Sequence, residues 1–95
     1  GNGLFGPDDP DTREQLALML YRYAQNLGLS TAGRDTLRSF YDSWTISPWA
    51  EDAMAWAVDS GILSGRPGGL LDPSGLTTRA EAAVMLRQLV ALMLG

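Results

Sequence analysis

Apolar residues at Leu16, Met19, Leu20, Tyr23, Ala24 and Leu27 recur at three- and four-residue steps, which predicts one helix from Thr12 to Leu27. Gly28 supplies a left-handed stop. A second stripe, Trp49, Ala53, Trp56 and Ala57, follows Ser47-Pro48, an N-cap with proline at the first helical position, and Gly61 ends it. Glu51 and Asp52 lie near the positive end of that helix's dipole. From Thr77 to Leu94 the chain is apolar nearly all round, with Ala82, Met85, Leu86, Leu89 and Met93 on one side and Ala83, Val90 and Leu94 on another. Such a pattern predicts a helix at the centre of a bundle. Gly28 to Ile46 reads as a connector with one short helical turn near Asp35 to Phe40, and Gly61 to Gly75, with five glycines and two prolines, as a structured loop holding one or two very short strands. The expected class is all-α, three main helices joined by Gly/Pro-rich loops.

The pattern is used twice. Gly3-Leu4-Phe5-Gly6-Pro7 aligns with Gly69-Leu70-Leu71-Asp72-Pro73, Thr12-Arg13 with Thr78-Arg79, and Ala17-Leu18-Met19-Leu20 with Ala83-Val84-Met85-Leu86, a constant offset of 66 positions. A repeat of this length is one supersecondary unit that needs neighbours to bury its apolar faces. The second copy is preceded by Phe40 to Ser64 and the first has nothing before Gly1, so the expectation is one and a half repeats: a half unit over residues 1–28, a connector over 29–39 and a complete unit over 40–95.

Composition removes most chemistry. With no His and no Cys, thiolate nucleophiles, Ser-His-Asp triads, disulfides and the usual Zn or Cu ligand sets are excluded. All seven basic residues are Arg, against eleven acids, and a net charge of −4 without a basic run disfavours nucleic acid and anionic membranes as partners. An anionic ligand would have to be caught locally. No apolar run approaches the ~18 residues of a membrane span, no signal peptide is present, and no cofactor or metal site is expected. Ninety-five residues bury only about 60% of their unfolded surface, so a partner surface would help.

Thr78-Arg79-Ala80-Glu81 is half explained by capping. Thr78 is the N-cap and Glu81 reaches back to its N–H; Thr12 and Gln15 repeat the arrangement. Arginine at the first helical position is different, since a cation there opposes the dipole by roughly 0.3–1 kcal/mol. Arg79 and Arg13 are therefore either anion binders, with guanidinium and helix amides converging, or partners of a nearby carboxylate such as Asp42. Trp56 reads as core. Trp49, in the first turn beside a loop, fits packing and sugar stacking equally, and Tyr41 and Trp44 are open in the same way. Asp8, Asp9, Asp11 and Glu14 read as helix-start acids, since their spacing does not match a calcium loop. Glu81 with Asp42 or Asp52 has no mark of a glycosidase pair.

Phe40-Tyr41-Asp42, Trp49-Ala50, Ala53, Ala57, Gly61-Ile62, Gly65, Gly69, Pro73 and Thr78-Arg79-Ala80-Glu81 stand in the order and spacing of the S-layer homology repeat, and the chain resembles that family over about Phe40 to Met93. Gly3 to Gly28 resembles the C-terminal half of a preceding repeat. Leu71 stands where the family usually has Phe, and Thr77 and Asp11 where it usually has Ile. The resemblance implies a non-catalytic, extracellular module that anchors a secreted or S-layer protein to the bacterial cell wall. Its implied ligand is an anionic secondary wall polysaccharide carrying pyruvate ketals, bound in grooves between repeats whose Thr-Arg helices form a central bundle. Carried onto this chain, it makes Arg79 and Arg13 carboxylate binders, Trp49 a stacking surface, Asp42 a hydroxyl acceptor or Arg orienter, and the loop from Gly61 through Ser64 to Gly65 a lining. The alternative is a protein interaction module without glycan binding. A stripe around Val84, Val90 and Leu94 without an obvious partner adds the expectation of a homodimer, which could exchange the N-terminal half repeat.

Overall fold

A computed structural model describes residues 11–32 and 37–95. The expectations for Gly3 to Pro7, for Asp8 and Asp9, and for Asp35 fall outside these residues. Among the described residues there are three α-helices, α1 (Arg13–Asn26), α2 (Glu51–Asp59) and α3 (Arg79–Leu94), with 3-10 turns at Leu37–Ser39, Ser43–Thr45 and Pro48–Ala50. Among the described residues the expected short strands reduce to two isolated antiparallel bridges, Thr12 with Leu76 and Arg66 with Leu70. The fold is all-α.

The helix boundaries follow from local chemistry. Thr12 and Thr78 each accept from the backbone three residues on, while Gln15 and Glu81 reach back to the cap N–H, so both capping boxes form. At the end of α1, Gly28 has φ +78° and the bonds Gly28 N–H to Gln25 O and Leu29 N–H to Ala24 O satisfy the last carbonyls. Gly61, φ +79°, closes α2 with the same pair of bonds, to Val58 O and Ala57 O. One boundary is corrected: Pro48 opens a 3-10 turn and the α-helix begins at Glu51, because the Ser47 side chain is drawn to Glu14 and caps nothing.

The core joins Leu16, Leu20 and Ala24 of α1 to Met54, Trp56 and Ala57 of α2 and to Ile62, Leu63 and Leu71 of the long loop. Leu71 is fully buried, so leucine fills the place where the resemblance leads one to expect Phe. Gly65 is required by the approach of Phe40, whose ring would lie 2.6 Å from an added Cβ. Beside the core, the Thr77 hydroxyl is buried without a hydrogen-bond partner among the described residues. A hydroxyl in that state costs about 1–3 kcal/mol. Thr77→Val, which keeps the shape and removes the orphan, is expected to raise stability by about 1 kcal/mol in urea unfolding; a loss would show that the hydroxyl is satisfied in solution.

α3 departs from expectation. Only Ala82, Met85 and Leu89 are buried, while Val84, Val90, Met93 and Leu94 are exposed, so it covers one side of the core and does not run through a bundle. The repeat explains which side is open. On α1 the buried residues are Arg13, Glu14, Leu16, Ala17, Leu20 and Ala24. The positions 66 further on are Arg79, Ala80, Ala82, Ala83, Leu86 and Val90; Ala82 is buried, Leu86 half-buried and the other four exposed.

Candidate functional site

The two Thr-Arg copies meet opposite fates. Arg13 is 2% exposed and turned inward: Nε donates to Leu71 O at 2.7 Å, Nη1 to Glu81 Oε2 at 2.6 Å and Nη2 to Ser64 O at 2.5 Å. The first amides of α1 are also used, Arg13 N–H donating to Gly75 O and Glu14 N–H to Pro73 O. The loop through Pro73 and Gly75 thus closes this helix terminus. Arg79 is exposed and bonds to no described residue, and the Arg79 and Ala80 amides have no acceptor among the described residues. Among the described residues nothing closes that terminus.

Glu81 holds the centre. Besides capping α3 it accepts from Arg13 and, on both oxygens, from Arg66 at 2.7 and 3.2 Å; Arg66 also pairs with Asp72 and donates to Leu76 O. The Arg66 hydrogen bond first, then the cap bond from Thr78 and the charge of Arg13, hold the Glu81 carboxyl down at about 2 against burial, which raises it. Its hydrogen bond to Glu81 raises Arg66 in turn, whereas burial, then the charge of Arg66, lowers Arg13. A carboxyl held ionised between two guanidiniums is the opposite of a general acid. Because the folded value lies below the ordinary 4.5, the stabilisation is complete above pH 4.5 and lost as pH falls through about 2. Wild type is expected to lose about 1–3 kcal/mol more than Glu81→Gln between pH 5 and 2; parallel acid limbs in urea titrations would contradict the network.

Asp42 sits elsewhere. Its carboxylate accepts from the Leu71 and Asp72 amides, both at 2.8 Å, and so clamps the backbone where Asp72 takes φ +51°. The alternative pairing of Arg13 or Arg79 with Asp42 does not occur: Arg13 pairs with Glu81. Trp56 is buried, edge-on to Tyr21 with centroids 5.8 Å apart, and Trp49 is 53% exposed in the Pro48–Ala50 turn. Tyr41 and Trp44 are largely exposed. A groove of about 250 Å³ runs between the 62–65 loop and the start of α3, lined by Arg13, Ser64, Glu81, Val84 and Met85 among others. Of the expected site residues it gathers Arg13, Ser64 and Glu81. Arg79, Trp49 and Gly61 are not among its lining residues, and Gly61 lies beside Gln88.

Sequence reasoning missed Arg66 and Glu14. Arg66 carries a faint signal, a lone cation in a Gly/Pro loop ahead of Asp72 and Glu81. Glu14 looked like an ordinary helix-start acid, yet it is 6% exposed and accepts from Ser47 N–H at 3.0 Å and Ser47 Oγ at 2.5 Å. Among the described residues no His/Cys/Asp/Glu group is arranged to hold a metal ion, and no helix is long and apolar enough to cross a membrane.

The profile of the S-layer homology domain matches residues 39–83. An exoglucanase XynX of Acetivibrio thermocellus is 35% identical over 80 residues, 84% of this chain and 7% of that one. An amylopullulanase of Thermoanaerobacterium thermosulfurigenes is 34% identical over 80 residues, 84% of this chain and 4% of its own length. An endoglucanase of Bacillus sp. (strain KSM-635) is 32% identical over 89 residues, 94% of this chain and 10% of that one. The chain therefore spans a tenth or less of these relatives. No solved structure matches significantly.

Proposed function

The chain belongs to the S-layer homology family through residues 39–83, and from that premise we propose that it anchors a surface protein to the bacterial cell wall by binding an anionic, pyruvate-ketal-bearing wall polysaccharide. The relatives named above as glucan- and pullulan-cleaving enzymes share only a small part of their length with it, which supports an appended, extracellular, non-catalytic module. The observation that carries the ligand chemistry is the open start of α3. Arg79 stands there next to two amides that have no acceptor among the described residues, and a ketal carboxylate suits a guanidinium fork beside helix N–H groups. The half-exposed Trp49 offers an indole face for a sugar ring. Arg13, Asp42 and Glu81 serve instead as the frame that holds the loop and the groove beside it. Arg79→Ala is expected to weaken binding to pyruvylated wall glycan at least tenfold while the unfolding midpoint stays within the ~0.5 kcal/mol of a surface change. Unchanged binding with lowered stability would make Arg79 structural.

A second reading rests on the exposed Val84, Val90, Met93 and Leu94, which suit protein association, including a homodimer. Sedimentation equilibrium of Val90→Asp beside wild type separates the two: loss of association with intact glycan binding assigns that face to assembly.

A further inference from the structure

Two helices of this chain begin with Thr-Arg, yet only α1 occupies the seat formed by residues 46–50 and the 64–77 loop. Most of what the seat asks is generic. It offers Leu71 O and Ser64 O to a guanidinium and Gly75 O and Pro73 O to two helix amides, and α3 carries the same arginine and the same free amides. α3 also leaves open most of the face that α1 buries, since Arg79, Ala80, Ala83 and Val90 are exposed, Leu86 is half-buried and only Ala82 among these counterparts is buried. By those criteria the α3 of a second copy is a competitor for the seat.

One feature distinguishes the two helices. Ser47 directs both its N–H and its hydroxyl to the Glu14 carboxylate, and the position 66 residues after Glu14 is Ala80. We infer that Glu14 is the specificity-determining residue that makes this seat accept α1 and reject an α3-type helix, including that of another copy of the chain. With alanine there, the Ser47 N–H and O–H would be covered by a methyl group, and an orphaned donor costs more than a made hydrogen bond gains. Rejection by unsatisfied polar groups is the common route to selectivity between similar partners. A buried carboxylate held by one serine adds little stability for its desolvation. Choosing a partner is the established use of single buried polar residues in helix assemblies. An α3 that entered the next copy's seat would make a head-to-tail contact that repeats without closing, so the choice also keeps the chain from polymerising.

Moving the carboxylate tests this without any glycan. Glu14→Ala/Ala80→Glu, checked for helicity by circular dichroism, is expected to self-associate with a midpoint at least tenfold lower in concentration than wild type by sedimentation equilibrium. Adding Ser47→Ala to that variant should return it to wild-type behaviour. Wild-type association in the double variant, or association indifferent to Ser47→Ala, would overturn the inference, because a purely structural Glu14 would change stability alone. Should the double variant fail to fold, Glu14→Gln/Ala80→Glu decides: glutamine keeps the shape of the α1 position but removes its charge, Ala80 lies at an exposed position, and the same Ser47-dependent association is expected. Its absence up to millimolar concentration would overturn the inference equally.

Discussion

Arg13→Ala is expected to destabilise the chain by about 3–5 kcal/mol, whereas Arg79→Ala, at the repeat-equivalent position, should change stability by no more than about 0.5 kcal/mol. The asymmetry follows from burial. Removing Arg13 strips partners from Leu71 O and Ser64 O and takes from Glu81 one of its two guanidinium partners. Such a loss is a large share of the stability of a small domain. Arg13→Lys should rescue only part of it, since an ammonium cannot reproduce a planar fork aimed at two carbonyls and a carboxylate. Urea unfolding followed by tryptophan fluorescence measures all three; equal effects of the two alanine substitutions would refute the closed and open assignment of the helix starts.

Asp42→Ala is expected to cost about 3 kcal/mol by orphaning the Leu71 and Asp72 amides, each bonded to a charged acceptor. Asp42→Asn keeps one accepting oxygen and should lose about half as much. Because the clamp fixes the segment whose Leu71 carbonyl binds Arg13, the double variant Arg13→Ala/Asp42→Ala should lose less than the sum of its parts. Additive losses would mean that the clamp and the buried arginine act independently.

The parts that local chemistry decides were legible in the sequence. Capping boxes at Thr12 and Thr78, glycine stops at Gly28 and Gly61 and the buried Trp56 depend on residues a few positions apart, and each is found where the spacing puts it. What depends on distant segments was not legible. The sequence makes Arg13 and Arg79 equivalent, and only the return of the loop, 51 to 68 residues downstream, buries one of them. Likewise, periodicity counts the apolar faces of α3 without saying which are covered, so a helix apolar nearly all round ends with one side on the core and Val84 and Val90 in solvent. Glu14 was hidden because an acid at a helix start needs no tertiary reason.

Calorimetric titration of the chain with purified wall polysaccharide, native and after mild acid removal of its pyruvate ketals, shows whether Arg79 binds the ketal carboxylate. Binding to the native glycan is expected to fall at least tenfold when the ketals are removed, with Arg79→Ala causing no further loss on the depyruvylated glycan. Equal affinity for the two glycans, or binding of the native glycan that is indifferent to Arg79→Ala, would contradict that role.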